Sequence, residues 1–271
     1  MIAYGFPKLE VAIDLEIARR IGASLVEVLP DWKSQPDPVL VRRRAEEFGL
    51  SVHSVHGCWG GRTIRANRVD LGNPDPSTHR ASVHDLKLCI DWILLAGGTF
   101  LVVHPGGYSA PEDAVERADS LALGLIALAD HARGTGVTLC VENMPPGVHP
   151  GSRMKDLAAL VDQVGRAEVA LALDTGHAHI SADPATETIA AGKRLGTTHV
   201  HDNDGALDAH LPPGLGSLDW GEWVKALDAI DYRGPIVLEC IRHLRQFPEN
   251  IDESFLVRLQ RLIGVERSGG D

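Results

Sequence analysis

Short apolar runs alternate with amphipathic stretches along the whole of this chain. Most of the runs are continuous rather than alternating and are rich in Val, Ile and Leu, which is typical of parallel strands buried on both faces. The eight strands predicted from these runs are Ile2–Phe6, Leu25–Leu29, Ser51–His56, Thr99–His104, Val137–Glu142, Val169–Asp174, Thr197–Asp202 and Pro235–Glu239.

Between the predicted strands, apolar residues recur at three- and four-residue spacing, the pattern of helices with one buried face. Glycines follow two of these stretches, beginning at Gly97 and Gly134, and glycine is common directly after a helix. The clearest predicted helices run from Val83 to Leu95, from Val115 to Ala132 and from Phe255 to Ile263.

Side chains of the kinds that bind metal ions lie at the ends of the predicted strands or soon after them. From the third strand to the eighth, every segment contributes at least one such residue, so they can converge only if the strands lie side by side. The nine candidate ligands are His56, His104, Glu142, Asp174, His177, His199, Asp208, His210 and Glu239.

Eight strand–helix units in 271 residues give roughly 34 residues per unit, close to the value for a (β/α)₈ barrel. An open, doubly wound sheet would explain the alternation equally well, but not the ligand-type residues at the ends of strands three to eight. In a barrel all these ends surround one mouth. We therefore predict an α/β fold with a single (β/α)₈ TIM barrel over residues 1–266 and its active site at the C-terminal ends of the strands. Residues 267–271 are expected to form a disordered tail.

Three of the candidate ligands are carboxylates at strand ends, namely Glu142, Asp174 and Glu239. Acids that converge on a partly desolvated mouth repel one another, and an unpaired buried charge costs several kcal/mol. No lysine or arginine occupies a comparable strand end. A divalent cation would neutralise them, and mixed carboxylate and imidazole ligands suit zinc, manganese, iron or cobalt better than calcium.

Local spacing supports the same site. A tight turn in Asp174-Thr-Gly-His177 can bring an oxygen and a nitrogen ligand to one centre, and Asp208 and His210 lie on one side of an extended loop. His199 and His201 face the same side of their strand, so one can bind a metal while the other contacts substrate or supports a ligand. Spacing alone leaves open which histidine has which role.

Composition limits the function classes. The net charge of −11 disfavours a broad nucleic-acid-binding surface, although a local basic patch remains compatible with it. Hydrophobic residues make up 44% and charged residues 23%, as in a globular protein with a core. We expect no membrane span and no secretory signal. The four cysteines contain no C-x-x-C pair, so a reducing cytoplasm is the expected location.

The segments that carry the candidate ligands resemble the xylose-isomerase-like TIM-barrel superfamily from about the third strand to the eighth. This superfamily contains sugar and sugar-phosphate isomerases and epimerases, inosose dehydratases and isomerases, and endonuclease IV. The motifs are Val103-His-Pro-Gly-Gly, Val141-Glu-Asn, Leu173-Asp-Thr-Gly-His, His199-Val-His-Asp-Asn-Asp-Gly and Asp208-Ala-His-Leu-Pro-Pro-Gly-Leu-Gly.

Two branches of the superfamily imply different chemistry. The epimerase branch implies one divalent metal (Mn, Zn, Co, Fe or Mg) held by Glu142, Asp174, His199 and Glu239, with the two glutamates exchanging a substrate proton through an enediolate. The endonuclease IV branch implies two or three zinc ions, whose further ligands match His56, His104, His177, Asp208 and His210. The segment beginning Asp70-Leu-Gly-Asn-Pro also resembles the endonuclease branch, whereas His201 stands where that branch usually has Asn.

The first interpretation is a metal-dependent isomerase or epimerase of a small sugar or sugar phosphate. Trp59, Arg62 and His201 are its expected substrate contacts, since Trp59 can cover the apolar face of a sugar and Arg62, with Arg65 and Arg68, can bind a phosphate. The alternative is a multi-zinc hydrolase of abasic-site DNA, and a third possibility is a barrel that binds sugar or metal without catalysis. The resemblance also implies a homodimer.

Overall fold

The computed structural model describes residues 2–5, 11–32, 36–59 and 69–263, and it contains a closed barrel of eight parallel strands. Each strand pairs with the next along the chain, and β1 closes the barrel by pairing with β8. The strands are β1 Ile2–Gly5, β2 Leu25–Leu29, β3 Ser51–His56, β4 Phe100–Val103, β5 Thr138–Glu142, β6 Val169–Asp174, β7 Leu195–Val200 and β8 Val237–Leu238. The predicted (β/α)₈ fold class is confirmed.

The bounds predicted for β7 are wrong by two residues at both ends. The prediction was Thr197–Asp202, whereas β7 spans Leu195–Val200. Asp202 leaves the parallel ladder and forms an antiparallel bridge with Leu211, with N–H to O distances of 2.7 and 2.9 Å. His201 and Asp202 therefore belong to the loop above the barrel rather than to its wall.

The other strands agree more closely with the predictions. The bounds of β2, β3 and β6 match, β4 is one residue shorter at each end, and β5 begins one residue later. The last strand, predicted as Pro235–Glu239, contains only Val237 and Leu238, so Glu239 follows it. Phe6, at the predicted end of β1, and the predicted tail at 267–271 lie outside the described residues.

Helices surround the barrel and connect its strands. The described helices are α1 Val11–Arg20, α2 Pro38–Glu47, α3 Pro76–Ala96, α4 Ala114–Ala132, α5 Met154–Val164, α6 Thr175–Ser181, α7 Pro184–Ala191, α8 Trp220–Ala229, α9 Ile241–Gln246 and α10 Glu253–Ile263. Several begin at an aspartate followed by proline. At α3, for example, Asp75 accepts a hydrogen bond from Thr78 N at 2.8 Å, which satisfies a free donor of the first turn. The three predicted helices are confirmed within α3, α4 and α10.

The main hydrophobic core lies between the strands and the surrounding helices, and a separate small cluster contains Val102, Cys140 and Ala172. Successive side chains alternate between the two faces of a strand. Cys140 and Ala172 each precede a candidate ligand by two residues, so they share the inner face of the barrel with Glu142 and Asp174. The small cluster therefore fills the barrel beneath the candidate ligands.

Across the part of the chain that the structure describes, no helix has both the length and the apolar character needed to cross a bilayer.

Candidate metal centre

Four of the predicted ligands come together at the C-terminal mouth of the barrel. Glu142 ends β5, Asp174 ends β6, His199 lies in β7, and Glu239 follows β8. Each offers one ligand atom, and these four atoms all lie within 4.8 Å of one another. Glu142, Asp174 and His199 are buried, whereas the side chain of Glu239 is 22% exposed. The closure of the barrel therefore assembles a pocket of three carboxylates and one imidazole that opens at Glu239.

The hydrogen bonds within this group fit a divalent cation. Nδ1 of His199 lies 2.9 Å from Oε1 of Glu142 and 3.4 Å from Oε2 of Glu239, so one imidazole nitrogen faces two carboxylates. Oε2 of Glu142 is buried and receives no hydrogen bond of acceptable geometry from the described residues, although His104 Nε2 is 3.2 Å away. Three acids, two of them buried, around a single imidazole leave an excess of negative charge, which a divalent cation would offset.

Glu27 is a member of the site that the sequence interpretation missed. It lies in the middle of β2, it is 1% exposed, and its Oε1 is 2.7 Å from Nε2 of His199. Its other oxygen, Oε2, accepts a hydrogen bond from Ser54 Oγ at 2.6 Å. The signal that would have found it is a single charged residue inside the otherwise apolar strand Leu25–Leu29, since a buried carboxylate requires a partner.

A second group of possible ligands contains His56, His104 and Glu142. His104 Nε2 lies 3.1 Å from His56 Nε2, and His56 Nε2 lies 3.6 Å from Glu142 Oε2. Nδ1 of His56 donates to the carbonyl of Gly57 at 2.9 Å, which directs Nε2 towards the acid. The Trp59 ring is centred 4.6 Å from that of His56 and 5.8 Å from that of His104. This tryptophan thus forms one wall of the mouth.

The remaining predicted ligands are His177, Asp208 and His210, which lie close to one another. Nδ1 of His177 donates to the carbonyl of Asn143 at 2.8 Å, which leaves Nε2 3.5 Å from Asp208 Oδ2. His210 Nε2 lies 3.3 Å from the same Asp208 oxygen, and its Nδ1 donates to the carbonyl of Glu239 at 2.8 Å. These backbone contacts fix the orientations of both rings.

His201, predicted to contact substrate, occupies the space between these residues. Its Nε2 lies 3.1 Å from Asp174 Oδ2, and its ring stacks on His210 with centroids 4.0 Å apart and planes 12° apart. It is fully buried, and among the described residues its Nδ1 has no hydrogen-bond partner. It shares possible ligand groups with Asp174 and His177, and with His210 and Glu239.

The structure therefore brings together all nine predicted ligands, and it places His201 and Trp59 against them. Arg62, Arg65 and Arg68, the predicted phosphate contacts, lie outside the described residues. The spacing argument left open which of His199 and His201 joins the first group. His199 is the histidine that shares it with Glu142, Asp174 and Glu239.

The surrounding groups shift the pKa values of Glu142 and Glu239 in opposite directions. Burial by itself would raise the pKa of Glu142, but His199, His104 and His56 more than offset it and hold that pKa well below its usual range. Glu239 behaves in the opposite way, because burial, together with the neighbouring acids Asp174 and Glu142, raises its pKa in spite of His199. Without a metal, Glu142 is the stronger acid and Glu239 the stronger base of the pair.

Comparison with protein families matches residues 15–258 to the model of the xylose isomerase-like TIM barrel.

Two proteins that are similar to this chain in sequence are ketose 3-epimerases. The chain is 31% identical over 232 residues to the L-ribulose 3-epimerase of Methylomonas sp. (strain DH-1), covering 82% of this chain and 75% of that protein. It is 30% identical over 231 residues to the D-psicose 3-epimerase of Agrobacterium fabrum (strain C58 / ATCC 33970), covering 83% and 77%.

Among solved structures, a D-psicose 3-epimerase determined in the presence of D-fructose superposes with a TM-score of 0.76. The superposition covers 97% of this chain and 100% of that one, at 18% sequence identity. At this identity the likeness supports the fold alone.

Proposed function

Because the chain belongs to the xylose isomerase-like TIM-barrel family, we propose that it is a metal-dependent epimerase or isomerase of a small ketose or its phosphate. The observation that carries the proposal is the group of Glu142, Asp174, His199 and Glu239, whose ligand atoms lie within 4.8 Å of one another at the barrel mouth. Two relatives that are 30% and 31% identical are ketose 3-epimerases, which favours epimerisation at the carbon next to the carbonyl.

A divalent cation held by these four residues would polarise the substrate carbonyl and acidify the neighbouring C–H group. Glu239 is suited to accept the proton from that carbon, because its pKa is raised and it is the more exposed of the two glutamates. Glu142 is then the residue through which a proton returns to the carbon. Because its lowered pKa leaves it ionised, it would first take that proton from solvent or from a substrate hydroxyl. Epimerisation requires removal and return on opposite faces, so it needs both carboxylates rather than one.

The histidines around the centre would bind the substrate hydroxyls. Nε2 of His56 and of His104 face the mouth beside Glu142, and His177 and His201 lie beside Asp174. Trp59 packs against the first pair and offers an apolar surface to the C–H face of a sugar. Arg62, which lies outside the described residues, is proposed to bind a phosphate on the substrate.

The direct test is hydrogen exchange at the reacting carbon. Protein prepared with Mn²⁺ or Co²⁺ would be incubated in D₂O with D-psicose, D-fructose, L-ribulose and their phosphates, and deuterium beside the carbonyl would be measured by NMR together with the epimer formed. We expect exchange and epimer with at least one ketose. Absence of exchange with every ketose and metal would refute the proposal.

Glu142→Gln and Glu239→Gln should each reduce the rate by about 10²–10⁴-fold, the usual contribution of an acid or base group. Glu112→Gln removes an exposed carboxylate from the short 3₁₀ helix before α4 and should leave the rate unchanged. If Glu142→Gln bound metal and sugar but kept full exchange activity, its assignment as a catalytic residue would be wrong. If the wild-type protein bound sugar and metal without any turnover, the non-catalytic alternative would replace the epimerase.

A second candidate function is phosphodiester hydrolysis of the endonuclease IV type. The observation that favours it is that His56 and His104 lie beside Glu142, and that His177 and His210 both face Asp208 Oδ2, at 3.5 and 3.3 Å. Several metals in one site can generate hydroxide and stabilise a leaving oxygen. Elemental mass spectrometry of protein purified without chelator separates the two, because two or three zinc ions per chain and cleavage of abasic-site DNA would favour the hydrolase. Close to one metal per chain and no cleavage would favour the epimerase.

The homodimer stays a prediction.

A further inference from the structure

We propose that Glu27 is a positioning residue for the candidate metal centre, which holds His199 so that its Nδ1 is free to bind the cation. The proposal rests on the metal-binding part of the proposed function and is independent of which sugar the protein converts. It concerns a residue on β2, which contributes no predicted ligand.

The argument begins with the two nitrogens of His199. A neutral imidazole has one N–H donor and one lone pair, and the hydrogen bond at one nitrogen decides which is which. Nε2 lies 2.7 Å from the Glu27 carboxylate, whereas Nδ1 faces Glu142 at 2.9 Å and Glu239 at 3.4 Å. In the metal-free site both nitrogens face carboxylates, which accept hydrogen bonds, so both nitrogens are donors. A cation bound between Nδ1 and the carboxylates of the centre would displace the proton of Nδ1, whereas Glu27 keeps the proton on Nε2, so that the lone pair of Nδ1 is directed towards the cation.

Glu27 is itself held in place by the geometry of the barrel. The pairing of β2 with β3 shifts register after Val26, so that Val26 pairs with Val52 whereas Glu27 pairs with Ser54, passing over His53. This irregularity brings Ser54 opposite Glu27, where its hydroxyl donates to Oε2 at 2.6 Å. With one oxygen fixed by Ser54, the other is aimed at His199.

The energetic cost of burying this carboxylate also points to a role. Glu27 is 1% exposed, and its hydrogen-bond partners among the described residues are Ser54 and His199. A buried carboxylate costs several kcal/mol unless it is paired, and no described lysine or arginine contacts it. A carboxylate behind a metal-binding histidine raises the basicity of the ligand nitrogen and fixes its ring, and removal of such a carboxylate usually lowers metal affinity 10–100-fold.

The experiment compares metal binding by Glu27→Gln and a matched control. Gln keeps the shape of the side chain but removes the charge, so we expect Zn²⁺ affinity, measured by competition with a chromophoric chelator, to fall about 10–100-fold. The visible absorption bands of the Co²⁺-loaded protein should also shift, because the His199 ligand changes. Glu187→Gln is the control, since Glu187 is equally buried at 1% exposure but pairs with Arg153 and the backbone N–H of Met154 rather than with a candidate ligand. It should change neither readout.

Ser54→Ala provides a second variant, because it removes a partner of Glu27 while the bond to His199 remains. Its affinity should fall less than that of Glu27→Gln. Folded Glu27→Gln with wild-type affinity and an unchanged Co²⁺ spectrum would overturn the proposal, and so would equal effects of Glu27→Gln and Glu187→Gln.

If Glu27→Gln did not fold, the wild-type protein could still be used to test the proposal. In the Zn²⁺-loaded, ¹⁵N-labelled protein, long-range ¹H–¹⁵N NMR reports which nitrogen of His199 carries the proton. A proton on Nε2 supports the proposal, and a proton on Nδ1 overturns it. These readouts need no substrate, so a protein that binds metal through this arrangement but epimerises no ketose would refute the proposed function and leave this inference standing.

Discussion

Replacement of Arg117 by Met should destabilise the protein by about 3–5 kcal/mol, the usual cost of leaving one member of a buried ion pair without its partner. Arg117 lies on α4 and Asp70 precedes α3. Nη2 of Arg117 donates to both Asp70 oxygens at 2.8 and 2.9 Å. Both residues are buried, at 7% and 4% exposure. The pair also packs against Gly106 in the loop after β4, where a Cβ atom would lie only 2.4 Å from Asp70 Oδ1.

Methionine keeps much of the volume of the arginine side chain, so the main loss is electrostatic. It leaves the Asp70 carboxylate buried without a counter-charge, because Ser82 Oγ accepts a hydrogen bond from the Asp70 backbone N–H and does not donate to the carboxylate. The variant also loses the hydrogen bond from Arg117 Nε to the His149 carbonyl at 3.1 Å, which adds about 0.5–1.5 kcal/mol. If Asp70 is replaced by Asn in the same protein, the uncompensated charge disappears, and about half or more of the loss should be recovered.

Urea denaturation followed by circular dichroism measures the four members of this double-mutant cycle under identical metal and pH conditions. For a domain of this size, 1 kcal/mol corresponds to about 2–4 °C in melting temperature, so Arg117→Met should melt roughly 10 °C lower than the wild type. A loss below about 1 kcal/mol, or additive effects of the two substitutions, would show that the pair is not the coupled buried contact that we infer.

Three further outcomes are expected. Without a metal, burial alone would lower the pKa values of His210 and His177, but the surrounding carboxylates outweigh burial. They raise the pKa of His210 to about 9 and that of His177 to about 10. Their protonated forms therefore stabilise the fold fully below a pH of about 6.5, the ordinary histidine pKa, and this contribution is lost as pH rises to 10. If the unfolding free energy of chelator-treated protein did not change between a pH of about 6.5 and 10, this prediction would be wrong. Gly176→Ala places a Cβ atom 1.9 Å from His201 Cε1, so we expect a lower melting temperature by calorimetry. Gly221→Ala, in α8, is the control, because the atom nearest to its new Cβ is 3.4 Å away, and its melting temperature should be unchanged or higher. Saturating metal at 100 times its Kd should add about 2.7 kcal/mol of stability over the chelated protein, and no rise in unfolding free energy would mean that the folded state binds no metal.

Much of the fold could be predicted because buried parallel strands leave continuous apolar runs. The runs at β2, β3 and β6 gave correct bounds, whereas β7 was placed two residues late. The error arose because His199, Val200, His201 and Asp202 continue the run in sequence, while the chain turns after Val200 to form the Asp202–Leu211 bridge. Such a bridge depends on a residue nine positions away and has no periodic signature.

The candidate ligands were predictable because each lies near the end of a strand or follows it, and parallel strands of a barrel end at the same mouth. Glu27 was not found in this way, since it lies in the middle of its strand rather than at its end. Its partner His199 is 172 residues away, and only the register shift between β2 and β3 brings Ser54 to its other oxygen.

The sequence by itself determined the alternation of strands and helices and the acids and histidines near the strand ends, from which we predicted a cation site. These features follow from local patterns, because burial and strand ends leave their mark on neighbouring residues. Only the tertiary structure decided which histidine joins which carboxylates, which nitrogen of His199 faces the centre, and that Glu142 and Glu239 differ in acidity. Those properties depend on short distances, such as 2.9 and 3.4 Å, between groups far apart in the chain, and such distances are fixed when the barrel closes.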